Sequence, residues 1–390
     1  MSNANNPAEA KKTFSWKTVL IVSGAYTSYH IGSGFASGQE VLQFFGSWGW
    51  YWPLIVPLIT AAMTIVFAAC SYRGGYVFQF EKPSDAYDQY FGKYVARFMD
   101  IFTMVIIACI GLVMFAGSGA TLHYYLGLPV YVGAIFMGII SVAVVWLGLE
   151  KVTDVLGISG VVMVGIVLIA GIYSLFTADT GMLEAQKNLP EYIAEGKIMQ
   201  AGVFGIYNPV LAGVFYGGLN LLNSFPFMVA LGKNLKSNKE ALACGVGSAV
   251  LICMGISFVV WALIPNLDYI VESGSHIPML AVTSRILPYL TPLFTLVIIA
   301  GIFTTITGYL WLIGRRFAED RTTRQKVIVA VVAVVGIFAG SIIPFATLIN
   351  ILYPYSGFAG ILIFLVIVGN ELAGRVVRGR VAAPSDAGKV

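Results

Sequence analysis

The sequence predicts an all-α integral membrane protein of about ten transmembrane helices. Three observations predict it. Charged residues make up 11% of the chain and hydrophobic ones 58%, against roughly 25% charged in a soluble domain, so a surface of this composition cannot be hydrated. Apolar runs recur along the chain, each long enough to cross ~30 Å of hydrocarbon. The charges between those runs are sorted by side, as a set of membrane crossings requires.

Taken in order, the runs place spans at 16–46, 50–72, 97–122, 129–148 and 155–177, then at 204–232, 238–264, 286–314, 324–343 and 344–370. Helix is the required conformation, because a single span in lipid must pair its own amides and carbonyls. Residues 1–15 read as a polar cytoplasmic tail without a signal-peptide pattern. Residues 178–203 read as an extracellular loop and 371–390 as a cytoplasmic tail. Spans 1–5 (16–177) and 6–10 (204–370) form two units. Because five is odd, the two units are expected to be inverted relative to one another.

With the N-terminus in the cytoplasm, only Lys187, Lys197 and Arg285 of the 23 basic residues fall outside. That bias predicts both termini inside and a multi-pass protein of a bacterial cytoplasmic (inner) membrane. The net charge of +4 then reports orientation in a bilayer and not nucleic-acid binding. Cys70, Cys109, Cys244 and Cys253 all fall in predicted spans, show no metal or disulfide spacing, and read as small packing residues. Asp100, Glu240 and Glu371 lie at predicted helix ends and read as solvated. His30, His123 and His276 are far apart, with no nucleophile or metal constellation around them, which disfavours an enzyme.

Two spans are unusual. Span 1 carries Gly32, Ser33, Gly34 and Gly38 near its middle, and span 6 carries Gly217-Gly218. Glycine in a helix interior costs about 1 kcal/mol relative to alanine and lets the backbone leave the helix. Glycine-interrupted spans at corresponding places in two halves point to a transporter binding site. The alternative is close helix packing through small residues.

On these features the chain resembles the LeuT-fold transporters of the amino acid–polyamine–organocation superfamily. More narrowly, His30-Ile-Gly-Ser-Gly-Phe-Ala-Ser-Gly-Gln-Glu40 followed by Phe44-Phe45-Gly46 is similar to the YkvI-type bacterial membrane proteins. The resemblance implies a 5+5 inverted repeat with helices 1 and 6 broken at the midplane, and a substrate held between the breaks. It also implies a sodium site made of the Ser28, Ile31 and Gly301 carbonyls with the Thr304 and Thr305 hydroxyls. Five neutral oxygens suit a hard monovalent cation, though threonines in membrane helices also bond back to their own helix. Span 5 from Val155 to Phe176 carries no lysine that could stand in for sodium.

Freed amides of Gly32, Ser33 and Gly34 are expected to face a substrate carboxylate. Tyr216, Gly217, Gly218 and Asn220 are expected to accept hydrogen bonds from an amine, with Tyr29, Phe215 or Tyr216 as aromatic partners of an organic amine or betaine. His30 has three readings, as a substrate contact, a proton carrier or a cap of freed carbonyls. Glu40 with Arg285 is a candidate outer gate. Asn350, Tyr353 and Tyr355 flank Pro354, whose kink is expected to shape the outer half of the site. The expected function is a sodium-coupled symporter of an amino acid, small amine or betaine, working by alternating access in the lipid bilayer with Na+ and no organic cofactor. Proton coupling or exchange through His30 and Glu40 is the alternative mechanism. An ion channel or a non-transporting sensor is the alternative of another class.

Overall fold

The computed structural model describes residues 14–30, 33–49, 51–80, 85–147, 152–177, 180–319 and 321–374. The first span is built of pieces: α1 (Trp16–His30), α2 (Ser33–Ser37), α3 (Gln39–Val41) and a π-helical turn (Leu42–Gly46). Then follow α4 (Trp52–Phe78), α5 (Asp85–Phe91), α6 (Lys93–Leu126), α7 (Val130–Leu147) and α8 (Val152–Thr177). The connection to the second half holds α9 (Met182–Ala185), α10 (Leu189–Ala194) and a two-stranded hairpin, β1 (Gly202–Val203) with β2 (Ile206–Tyr207). The second half comprises α11 (Pro209–Gly232), α12 (Asn238–Leu263), α13 (Leu267–Ser273), α14 (Pro278–Ile286), α15 (Thr291–Phe317), α16 (Thr323–Ile342) and α17 (Phe345–Leu372).

Among the described residues, eight helices are long and apolar enough to cross a membrane, and a ninth candidate pairs the end of α8 with the α9–α10 segment across a 96° bend. The predicted first span is not among them. At 15 residues, α1 rises about 22 Å, short of the ~30 Å of hydrocarbon. Its continuation is interrupted at Gly38, whose φ of 77° is left-handed and whose added Cβ would meet Met279 Cβ at 3.0 Å. Only glycine satisfies both conditions at once.

The expected break in helix 6 does not occur. α11 runs without interruption through Gly217-Gly218, starting from an Asn208 cap whose side chain accepts from Val210 N (2.9 Å) and Leu211 N (3.2 Å). Its glycines admit neighbours instead. A Cβ on Gly218 would strike the Gly357 carbonyl, one on Gly357 the Phe215 carbonyl, and one on Gly360 the Gly218 carbonyl. A Cβ on Gly217 would lie 3.0 Å from the Met63 sulfur of α4. In lipid there is little hydrophobic drive between helices, so such backbone approach supplies much of the association.

The long helices sort into two sets. α4 packs on α11 and α12, and α1 on α12; α6, α7, α15 and α16 pack on one another. α17 bridges the sets, lying on α11, α6 and α4. Each set takes consecutive spans from both predicted halves. Arg285, which falls just ahead of predicted span 8 (286–314), belongs to α14, which is separate from α15.

Two carboxylates read as solvated are structural. Glu240 is fully buried; its oxygens accept from Ser15 N (2.8 Å) and Lys236 N (2.7 Å), tying the start of α1 to the start of α12. Glu371 pairs with Arg73 of α4, with 8% of its side chain exposed. The Asp100 side chain lies outside the described residues. Glu240→Ala is expected to cost about 2–3 kcal/mol, since hydrogen bonds to a charged group are the strong ones, and to speed amide exchange at the start of α1. Protection there equal to that of the unaltered protein would rule out the tie. Arg73→Ala leaves the Glu371 carboxylate without its cation and is expected to cost about 3 kcal/mol, read as a lowered thermal midpoint in detergent.

Candidate functional site

A cavity of about 60 Å³ lies where the pieces of the first span meet α6, α11, α15 and α17. His30 and Tyr29 enter it from α1, Gly34 from α2 and Glu40 from α3. Asn220 and Asn223 enter from α11, Thr305 and Tyr309 from α15, and Tyr353 from α17. The interruption at Gly38 turns α3 so that Glu40 faces inward, 5% exposed, rather than toward an outer vestibule. Its Oε1 accepts a hydrogen bond from the Tyr216 hydroxyl at 2.7 Å. Its Oε2 lies so close to Gly34 that a Cβ there would collide with it.

His30 bridges two helices. Nδ1 faces the Tyr26 carbonyl at 2.9 Å and Nε2 faces the Asn220 carbonyl of α11 at 3.1 Å. A carbonyl can only accept, and a neutral imidazole carries one N–H, so a neutral ring serves one of the two while the imidazolium serves both. Asn220 Nδ2 and Asn223 Oδ1 are buried without a partner among the described residues. A donor and an acceptor in that condition are costly in an apolar bundle, and both side chains line the cavity.

On one side the cavity is sealed by aromatics. Phe44 and Phe45 are fully buried and set their edges against Tyr216, with ring centroids at 5.2 and 4.8 Å. The 198–204 segment covers that seal: Ala201 N donates to Gln43 O (3.1 Å), Gln200 Nε2 to Ser47 O (2.8 Å) and Asn350 Nδ2 to Gln200 O (3.2 Å). The opposite barrier is thin. Tyr29 is 44% exposed, stacks on Phe227 at 4.7 Å and donates to Asn223 O at 2.9 Å. In a chain with its four cysteines replaced, Tyr29→Cys is expected to react readily with a soluble thiol reagent and Phe45→Cys to stay protected. Equal labelling of the two would mean that the seal is misplaced.

The expected site residues divide accordingly. Tyr29, His30, Gly34, Glu40, Asn220 and Thr305 line one cavity, and Tyr216 reaches it through Glu40. Phe215, Gly217 and Gly218 are packing positions: Phe215 and Gly218 face α17, and Gly217 faces α4. Arg285 does not meet Glu40; it lines a separate cavity with Asp268, Tyr269 and Glu272 and lies over the Tyr269 ring at 4.9 Å. Gly32, Ile31 and the side chains of Ser28 and Ser33 lie outside the described residues. Of the proline-flanking set, Tyr353 lines the cavity, while Tyr355 packs edge-on against Phe204.

Sequence reasoning missed Asn223 and Tyr309. Each lies one helical turn beyond a residue already singled out, Asn220 and Thr305 respectively, and that spacing was the available signal.

On α15 the Thr304 and Thr305 hydroxyls both donate to the Gly301 carbonyl, at 2.8 and 2.9 Å. That geometry gathers three neutral oxygens, the donor type a sodium ion takes. Both lone pairs of the carbonyl are occupied, however, so all three atoms can ligate a cation only if the hydroxyls rotate away.

No family model matches the chain. It is 23% identical over 370 residues to the uncharacterized membrane protein YkvI of Bacillus subtilis (strain 168), covering 91% of this chain and 95% of that protein. It is 27% identical over 357 residues to YyaD of the same organism, covering 87% and 92%. Among solved structures, MhsT in complex with L-phenylalanine superposes with a TM-score of 0.63 at 13% identity, over 96% of this chain and 94% of MhsT. The chain is similar to YkvI and YyaD and has the LeuT fold. Mhp1 in its inward-facing conformation gives a TM-score of 0.56 at 14% identity, covering 96% and 80%. Identities that low establish the fold alone.

Proposed function

We propose that this chain is a secondary active transporter that works by alternating access, taking an amino acid or a related small amine or zwitterion. Sodium bound at Gly301, Thr304 and Thr305 with the first span is proposed as the coupling ion. The observation that carries the reading is the central cavity. It places a carboxylate, an imidazole and two amide atoms without partners among the described residues, Asn220 Nδ2 and Asn223 Oδ1, in the middle of an apolar bundle, where polar groups are retained for function. It is sealed deeply on one side and by a single exposed tyrosine on the other, the asymmetry of a site reached from one face at a time. The relation to MhsT, solved with L-phenylalanine, supports a small organic substrate. The loop charges support a bacterial inner membrane with both termini in the cytoplasm.

The test is uptake into liposomes from a panel of labelled amino acids, amines and betaines, with an inward sodium gradient or with choline in its place. Concentrative uptake that collapses in choline is the expected result. Conductance without saturation would favour a channel.

A second reading has its own observation. Because His30 faces two carbonyls, adding a proton to its ring completes a link from α1 to α11. Coupling to protons would then act by tightening that link. Uptake driven by a pH gradient in the absence of sodium, and lost in His30→Gln, is what that reading expects.

A further inference from the structure

Resting on the transport reading, we infer that the site takes a substrate that is an organic cation without a carboxylate, with Glu40 as its counter-ion. The place expected to receive a substrate carboxylate is already filled by a carboxylate of the protein. Glu40 Oε2 lies against Gly34, one of the residues whose freed amides the sequence assigned to the substrate's anionic end. An amino acid carries its own carboxylate, so ionising Glu40 to meet its ammonium would leave the dry cavity with an excess negative charge and two carboxylates side by side, which is strongly unfavourable. An ammonium group meets the opposite condition.

The cavity supports the same choice. None of its described lining residues is Lys or Arg. Tyr216 on α11 donates its hydroxyl to Glu40; the other titratable groups lining the cavity are Tyr353 on α17, Tyr309 on α15 and His30 and Tyr29 on α1, and α6 presents Ile110 and Met114. Phenols can donate a hydrogen bond to a carboxylate, but they do not neutralise it. A buried carboxylate needs a cation or a proton. Asn223 Oδ1, an acceptor without a partner, provides a second contact for an N–H of the ligand.

The exchange balances. On this inference the Glu40 carboxyl holds a proton in the empty site, because no described lining residue supplies a cation to neutralise it. When R–NH3+ enters, the carboxyl O–H bond breaks, the proton leaves to water, and an N–H···O contact to the carboxylate replaces it. Net charge in the cavity is unchanged, so binding of the amine competes with protons and weakens as pH falls.

The experiment uses the full chain in detergent and matched pairs: isobutylamine against valine, phenethylamine against phenylalanine. Thermal stabilisation and calorimetry are read in sodium at two pH values and in two buffers of different protonation enthalpy. The amine of each pair is expected to bind about tenfold or more tightly than its amino acid, with release of about one proton per ligand where the empty-site carboxyl is protonated and fewer as pH rises and it ionises. Glu40→Gln keeps the size of the side chain and an acceptor for Tyr216, and is expected to lose amine binding while melting as the unaltered protein does. Amino acids binding as tightly as their amines, or amine binding unchanged in Glu40→Gln, overturns the inference while leaving transport standing. The paired comparison on the unaltered protein decides even if the variant fails to fold. If neither member of any pair binds and no panel compound is taken up by liposomes, the transport reading falls with it.

Discussion

Gly218→Val is expected to yield no folded protein in the membrane fraction, and Gly360→Val the same. In each case the added side chain would project into a backbone carbonyl of the facing helix, Gly357 for the first and Gly218 for the second. A backbone cannot swing aside as a flexible side chain can, so the helices must separate along the whole of the α11–α17 contact. Ordinary overpacking costs about 1–3 kcal/mol, and a collision with main chain on both sides exceeds that. Separation also pulls Tyr216 from Glu40 and the Asn220 carbonyl from His30, so the site is lost with the fold. Gly217→Ala is the comparison. Its Cβ would meet the Met63 sulfur at 3.0 Å, and methionine adapts readily, so that variant is expected to fold with a lowered midpoint. Folded, monodisperse Gly218→Val by size-exclusion chromatography would show that these glycines do not set the helix spacing.

The same glycines show what a sequence can and cannot disclose. Glycine in a membrane helix serves two ends, release of the backbone and close approach of a neighbour, and Gly217-Gly218 alone does not say which. The partner helix does, because Gly357 and Gly360 lie three apart on one face of α17 and receive the Phe215 and Gly218 carbonyls. Where a signal is local the reading holds closely. The Ser237 and Thr322 caps fix the starts of α12 and α16, and apolar composition carries the rest of each helix. Glu40 shows the opposite case. Counting residues outward along a helix places it in a vestibule, but the left-handed turn at Gly38 and the π turn after it re-aim the chain. The turn exists because α14 presses on Gly38 through Met279, a contact between residues 241 positions apart that no local pattern encodes. Arg285 was misplaced for a related reason: it falls just ahead of predicted span 8, but it belongs to α14, a separate helix from the α15 that lines the cavity.

Sodium-dependent stabilisation is expected to disappear in the double variant Thr304→Val, Thr305→Val. Valine matches threonine in shape but not in its hydroxyl, so the packing of α15 is kept while two of the proposed ligand oxygens are removed. Each hydroxyl is bonded to the Gly301 carbonyl, and an internal hydrogen bond of that kind contributes only about 1 kcal/mol net. The variant should therefore melt in choline close to the unaltered protein. In sodium the two should diverge. If sodium at 100 times its dissociation constant stabilises the unaltered chain by about 2.7 kcal/mol, the variant should show almost none of it, and concentrative uptake should fall with it. The single variants sharpen the assignment. Thr305 lines the cavity whereas Thr304 is buried at 4% exposure, so removing Thr305 should weaken substrate and sodium binding together, and removing Thr304 should weaken sodium alone. Sodium dependence retained by the double variant would leave these threonines as helix-bonded structural residues and shift the coupling to the proton link at His30.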